Sequence, residues 1–316
     1  PRGVAVVVQA KHLCYDDQTE VLTQTGFKLF KDLEPSDAVA QYSLKTEAIS
    51  YARPTSYVCY RYKGQMVKMK GLSFDLLVTP DHRCVVQTEW KWLNGKRSFN
   101  VVSADALPTS GFLPRAGVYQ GTSRKKITVA GVQWDMVSFC QFMGVYLSEG
   151  NVSPGENRQY VRIVQHKKSR GYLPFKELLE SLPFAFKAYP RAGGRGVVWQ
   201  CHNKALADYL RTFGKSRQKH VPQEIKDADL KAREAFLWFY FLGDGHENDY
   251  NGTTHYTTIS ERMADDLQHL LTVSGYAASK CKRASGAFDV RIQNNGEGWA
   301  GAKTVSHYSK KRHVRD

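Results

Sequence analysis

Seven apolar residues, Phe236 to Leu242, run without a break and stop at Gly243, Asp244 and Gly245. An apolar run with no alternation predicts a buried helix. The glycine behind it reads as the left-handed residue just past a helix C-terminus. That end of a helix is electronegative, so an aspartate there opposes the macrodipole. The stretch FCQFMGVYLSEGNV does the same thing, with an apolar segment leading to Glu149 and then Gly150. The two acids are 95 residues apart, about the length of half a domain.

The order helix, strand, helix, strand is read around each of these segments. The first pass takes a helix over 135–149, then YVRIVQ, YLPFKELLESL, GVVWQCH and the helix ALADYLRTFG. The second takes 231–244, HYTTIS, ERMADDLQHLLTVSGY and AFDVRIQ. Two repeats, 132–225 and 226–295, are therefore expected to form a pseudo-twofold α/β domain whose halves pair as a symmetric dimer's subunits do. Residues 14–115 have another texture. Short alternating runs such as EVLTQTG, DAVAQYSL and DLLVTPDHRCVVQ are punctuated by Gly, Pro, Asp and Ser, which predicts an all-β domain of many short strands. Residues 116–131 read as a basic connector and the Val-rich opening, 1–13, as a strand. The tail 296–316 is polar and basic, with too few apolar residues to form an element alone.

At 316 residues the chain has room for two domains. Lys and Arg number 45 against 30 Asp and Glu, an excess of +15 with a pI near 9.5. That excess points to a polyanionic partner, nucleic acid first; the alternative is a solvated basic surface kept for solubility. No apolar run approaches the roughly 18 residues that span a bilayer. The six cysteines, Cys14, Cys59, Cys84, Cys140, Cys201 and Cys281, make no CxxC pair. Scattered in this way they argue against a zinc ribbon or a disulfide framework. They fit small buried core residues in a reducing, cytoplasmic compartment.

If the two apolar helices pack side by side, Glu149 and Asp244 meet at one end. Two carboxylates with no cation between them repel. A divalent cation relieves this, and carboxylate oxygens completed by water and phosphate suit Mg²⁺. Metal-assisted hydrolysis of a phosphodiester follows as the chemistry. Lys219, in RQKHVPQEI, is the candidate general base or charge stabiliser; Lys280 or Lys282 would serve the second repeat, with Lys282 carried forward. Arg124, Lys125 and Lys126 in SRKKIT, with Arg162, Lys167, Lys168 and Arg291, are the candidate phosphate contacts. Each of these lysines and arginines also fits a solvated surface, and the two acids also fit incidental helix ends.

FMGVYLSEG (142–150) and, more divergently, LWFYFLGDG (237–245) resemble the two motifs of single-chain LAGLIDADG homing endonucleases. The resemblance implies motif helices packed on a pseudo-twofold axis, with Glu149 and Asp244 binding catalytic Mg²⁺, for which Mn²⁺ would substitute. It implies a lysine equivalent to Lys219, since KHVP matches the Lys-x-x-Pro pattern of intein endonucleases. It also implies two saddle-shaped antiparallel sheets laid in the DNA major groove, and a monomer that cuts both strands of a long specific site. Gly144 permits the close helix approach of the first motif; Phe239 and Tyr240 stand where the second usually has small residues.

The first hundred residues resemble the opening of an intein, in which a Hint-type splicing domain carries the endonuclease. CYDDQTEVLTQTGFKLFKDLEPSDAV (14–39) is similar to the first splicing block and DLLVTPDHRCVV (75–86) to the second. Cys14 would then be the first intein residue, attacking the carbonyl of Leu13, with Thr79 and His82 activating the scissile amide. Residues 1–13 would be flanking host sequence. Inteins close on His-Asn followed by Cys, Ser or Thr. The His-Asn here, His202–Asn203, lies mid-chain before Lys204, and the sequence stops at HVRD. Complete splicing is not expected of this sequence, while thioester formation at Cys14 is compatible with it. Besides the active nuclease, two readings stand: a sequence-specific DNA-binding protein with decayed cleavage, and a mainly autoprocessing element.

Overall fold

A computed structural model describes residues 4–5, 14–71, 74–88, 98–153, 159–191, 193–248, 252–292 and 305–315. The chain divides into two compact units. One comprises Pro1–Gln120, Leu271–Cys281 and Arg291–Asp316, the other Gly121–Leu270 and Lys282–Val290. No helix among the described residues is long and apolar enough to cross a membrane.

The first unit is built on short strands: β1 (Val4–Ala5), β2 (Glu20–Thr23), β3 (Gly26–Leu29), β4 (Val39–Tyr42), β5 (Ala48–Ala52), β6 (Gly64–Lys70), β7 (Asp75–Val78), β8 (Arg83–Thr88), β9 (Asn100–Ser103), β10 (Ser110–Pro114) and β11 (Val118–Tyr119). Of the opening run expected as a strand, Val4–Ala5 is one and the rest lies outside the described residues. One sheet has the order β1-β2-β4-β5-β11, with β3 on β2. The other runs β7-β6, then the strand Val305–Arg315, then β10-β8-β9. Val67, Met69, Phe74, Val78 and Val86 form the core of this second sheet, as the alternation of their strands dictates. The basic tail thus supplies a central strand. It pairs Arg315 with Gly64 through Ser309 with Lys70 on one edge, and Ser309 with Ser110 through Val305 with Pro114 on the other. A polar segment that could not fold alone forms a strand here because each half finds a partner, 309–315 on β6 and 305–309 on β10.

Within the expected connector, β12 (Lys126–Val129) turns through Ala130 and Gly131 into β13 (Val132–Asp135). Both turn residues have positive φ, 55° and 75°, as a two-residue hairpin turn of matching twist requires. The chain then passes twice through one plan. The first pass is α1 (Met136–Glu149), β14 (Gly150–Val152), β15 (Val161–His166), α2 (Tyr172–Ser181), β16 (Lys187–Pro190), β17 (Gly196–Cys201) and α3 (Lys204–Arg211). A short α4 (Gln223–Lys226) leads to the second: α5 (Leu230–Asp244), β18 (Gly245–Glu247), β19 (Thr254–Thr258), α6 (Glu261–Val273), β20 (Ala278–Lys282) and β21 (Phe288–Ile292). The sheet orders are β14-β15-β17-β16 and β18-β19-β21-β20, the same topology in both passes. The doubled α/β plan is as the sequence led us to expect. It also contains β14, β16, β18 and β20, which the sequence did not announce.

α1 and α5 begin alike. Asp135 accepts from the Ser138 N–H and Asp229 from the Ala232 N–H, each at 3.0 Å, side-chain caps contributing about 1 kcal/mol apiece. Both helices are buried over most of their circumference. They touch backbone to backbone at Gly144, where a Cβ would stand 2.7 Å from Phe236 O and 2.9 Å from both Phe239 Cβ and Tyr240 N. The bulk of Phe239 and Tyr240 does not keep the helices apart, because their rings turn away. Phe239 stacks on Phe175 and Tyr240 lies against Tyr256, each with centroids 6.2 Å apart. A second close approach, at Gly243 of α5 against Ser148 of α1, follows nearer the tips.

The glycines behind the acids are a correction to the left-handed cap expected from sequence. Gly150 has φ −94° and ψ 153°, Gly245 φ −96° and ψ 161°. Both are extended, and each opens a strand directly. They must be glycine for space: a Cβ at either position would meet its own helix, 2.6 Å from Tyr146 O or Phe241 O and closer still to those residues' rings.

Candidate active site

Both acids sit at the C-terminal tips of the paired helices, and the tips converge. A Cβ on Gly243 would lie 2.6 Å from Ser148 Cβ and 3.2 Å from Glu149 Cγ. Glu149 and Asp244 are half-buried. Burial raises the Glu149 pKa, while the Gln165 amide and Lys219 pull it back. Asp244 is pushed up to about 7, first by burial and then by the negative charge of Glu149, against the pull of Lys219 and of the nearby Tyr240 hydroxyl. The mutual repulsion expected of paired carboxylates is present.

Each acid has its own polar support. Gln165, on β15, donates from Nε2 to Glu149 Oε1 at 3.3 Å and accepts the His166 N–H on its Oε1 at 2.7 Å, which fixes the amide's orientation. Asp244 has Tyr240 one helical turn back, whose buried hydroxyl donates to Thr257 O at 3.4 Å and draws the carboxyl's pKa down. Sequence reading missed both. A glutamine within a strand pattern carries no signal, and Tyr240 registered only as unusual bulk.

Lys219 is buried beneath the tip of α1. Its Nζ donates to Tyr146 O at 3.1 Å, Leu147 O at 3.0 Å and Gly150 O at 2.8 Å, and it lies 5.3 Å from the centroid of the Tyr146 ring. Three donors on three carbonyls satisfy groups that a helix end otherwise leaves bare, and the positive charge answers the dipole. Burial lowers its pKa to about 8, with Asp244 and Glu149 working the other way. With every ammonium hydrogen engaged, the charge-stabiliser role expected of Lys219 fits better than the general-base role. Ser260 Oγ holds the Lys219 carbonyl at 2.7 Å, and Asp266 holds the Val221 N–H at 2.8 Å.

Lys282 does not enter this cluster as the contacts stand: it is exposed, its Nζ 5.6 Å from the centroid of the Phe288 ring. Lys280 is half-buried on β20. Of the basic candidates, Lys125 is ion-paired to Asp229 at 2.9 Å. Arg124, Lys126, Lys167, Lys168 and Arg291 are exposed, and Arg162 is half-buried on β15. Lys167 and Lys168 line a groove with His166, Gly194 and Arg195, so Arg195 joins that patch. Among the described residues, no three His, Cys, Asp or Glu side chains gather as a metal site; the pair Glu149 and Asp244 is what the tips offer. A small hard cation that keeps several waters and takes one or two carboxylates plus phosphate oxygens fits such a donor set.

The first unit holds a separate cluster. Cys14 O accepts the Thr79 N–H at 3.0 Å, and the Cys14 N–H faces Thr79 Oγ1 at 3.4 Å. His82 is buried, its ring 4.3 Å from that of Tyr15, and its Nδ1 has no hydrogen-bond partner among the described residues. Burial lowers its pKa to about 4. Leu13 lies outside the described residues. His202–Asn203 has a structural task, with Asn203 capping α3 through the Leu206 N–H at 2.9 Å. The described cysteines are all free. Cys84, Cys140 and Cys201 are buried as expected, whereas Cys59 is exposed.

Over 299 residues the chain is 25% identical to the ATP-dependent Clp protease proteolytic subunit of Chlamydomonas moewusii, a match covering 86% of this chain and 29% of that protein. It is 27% identical over 295 residues to the ribonucleoside-diphosphate reductase subunit beta of Aquifex aeolicus, covering 85% of this chain and 41% of that protein. The chain therefore spans less than half the length of these curated relatives. Similar solved structures include I-DmoI in complex with DNA and Mn (14% identity, TM-score 0.38, 50% of this chain and 90% of that one). Another is the N-terminal LAGLIDADG domain of DUF199/WhiA (11% identity, TM-score 0.37, 51% of this chain and 78% of that one). Residues 231–297, the stretch that holds Asp244, match the LAGLIDADG-like domain family.

Proposed function

We propose that this chain is a homing endonuclease of the LAGLIDADG type, carried by an intein, that cuts both strands of a long specific DNA site with Mg²⁺. The observation that carries this reading is the pair of half-buried acids at the joined tips of α1 and α5, with the charge of Glu149 bearing on Asp244. Glu149 and Asp244 would hold the divalent ion. When bound, it would supply charge neutralisation for the phosphodiester and an acidified water. The protein's own work is to fix the Glu149 carboxylate through Gln165, and to hold positive charge at the helix tip through Lys219. The excess of 15 positive charges supports a DNA partner, bound by phosphate contacts that weaken with salt.

The intein reading has independent support. Proteins named for a protease subunit and for a reductase subunit each match about 85% of this chain, as the two overlapping alignments require. A segment shared by proteins of unrelated activity behaves as an inserted element. The Cys14–Thr79–His82 cluster supports a second, residual activity, thioester formation at Cys14. We take the protein to act as a monomer in a reducing cytoplasm.

The test is cleavage of a DNA library of candidate insertion sites in Mg²⁺, wild type beside Glu149→Gln and Asp244→Asn. Site-specific double-strand breaks lost in both variants support the nuclease. Specific binding with no cleavage in Mg²⁺ or Mn²⁺ leaves a DNA-binding protein with decayed activity.

A further inference from the structure

Lys219 has a counterpart that no sequence pattern marked. Arg170 lies in the turn between β15 and α2. Its Nη2 donates to Phe241 O at 2.9 Å and to Gly245 O, and its guanidinium carbon stands 4.0 Å from the centroid of the Phe241 ring. Shifted back by the 95 residues that separate the acids, Phe241 is Tyr146 and Gly245 is Gly150. Those are two of the carbonyls, and the ring, that Lys219 takes at the tip of α1.

The turn is held in place from both sides. Ser169 N–H donates to His166 O at 2.9 Å and Tyr172 N–H to Ser169 O at 3.1 Å. A Cβ on Gly171 would come within 2.9 Å of Leu242 O, so the turn lies directly on the last residues of α5. Each cation also ties the two repeats together at one acid. Arg170 belongs to the first repeat and caps the helix of the second; Lys219 caps the helix of the first while Ser260 and Asp266 of the second dock its segment. The lysine expected for the second repeat, Lys282, makes no such contact to the tip of α5.

We propose that Arg170 is the positioning residue for Asp244, doing for the second half of the site what Lys219 does for the first. This rests on the nuclease reading. The two hydrogens of one guanidinium nitrogen reach two carbonyls without burial, so Asp244 is kept in place by an exposed cap and Glu149 by a buried one.

The experiment measures the nicking rate of each strand separately, on an end-labelled duplex that the wild type cuts, with wild type, Arg170→Met, Arg170→Lys and Lys219→Met. The ratio of the two rates should shift by about tenfold or more in Arg170→Met, as small misplacements of a reacting group do, and in the opposite direction in Lys219→Met. Arg170→Lys, able to bond the same carbonyls as a point charge, should restore most of the balance. Equal slowing of both strands, or no change, overturns the proposal. A wild type that cuts no duplex in the library sinks the nuclease reading itself. Hydrogen exchange then judges Arg170 alone: faster exchange at 241–247 in Arg170→Met, with 150–152 unchanged, supports the cap, and unchanged exchange at 241–247 rejects it.

Discussion

The two tips of the site use one backbone plan and two chemistries. At the tip of α1, a buried lysine spends all three donors on carbonyls, and an amide from a neighbouring strand steadies Glu149. At the tip of α5, an exposed arginine bridges two carbonyls, and a phenol one turn before Asp244 donates to Thr257 O on β19. Caps, glycines and carbonyl acceptors repeat, because they are what a tightly packed, acid-tipped helix needs. The side chains that meet those needs do not repeat. A doubled backbone therefore fixes where help must come from and leaves open which residue provides it.

The sharpest test of that comparison is to remove each acid. Glu149→Gln or Asp244→Asn should lower cutting by on the order of 10³-fold, as loss of a clamp on developing charge does. Strand-resolved rates should show whether each acid governs its own strand, and full activity in either variant would break the pairing. Next in size are the interface glycines. Gly144→Ala meets backbone and Gly243→Ala meets Ser148 Oγ and Cβ, so each should cost about 2–3 kcal/mol in urea unfolding. Lys219→Met should also lose about 1–3 kcal/mol, since it leaves buried carbonyls unpaired. Arg170→Met, at an exposed cap, should lose less than about 1. Equal losses would mean the two caps are not different in kind.

A further prediction is a pH dependence. In metal-free protein, Asp244 titrates near 7 against 3.8 in its ordinary state. Between those values the folded state keeps a proton that the unfolded state has released, so this group's stabilisation is present below about pH 4 and lost as pH rises to 7. Asp244→Asn should remove that decline and stabilise the protein at pH 7 by about 1–2 kcal/mol after solvent screening. Lys219, near 8 when folded, works oppositely: stability grows as pH rises from about 8 towards 10.5. Parallel pH curves for wild type and Asp244→Asn would contradict the raised carboxyl.

How much was legible follows from where each signal lies. The acids and their helices were readable because a seven-residue apolar run and an acid–glycine ending are local patterns, repeated. Lys219 was readable only through the proline three residues on. Arg170 and Gln165 left no pattern, because their partners are carbonyls or a carboxylate brought near by folding. Gly150 and Gly245 were placed correctly and explained wrongly: left-handed backbone and lack of room for a Cβ look the same in sequence. The strand Val305–Arg315 was unreadable for the opposite reason. It has no apolar face to advertise, and its partner on one edge begins at Gly64.

That strand also sets a schedule. Sheet contacts between residues 64–70 and 309–315 close one of the longest loops the chain contains, whereas α1, α5 and their sheets pair over far shorter separations. Long loops close late and slowly, and a chain leaving the ribosome makes this strand long after β6. Until then, β6 and β10 each present an unpaired edge to the cell. Lys68 and Lys70 on β6 place charge along that edge, a common guard against pairing with the wrong chain. The acid-tipped helices can thus assemble while the sheet encoded before them still waits for its middle strand.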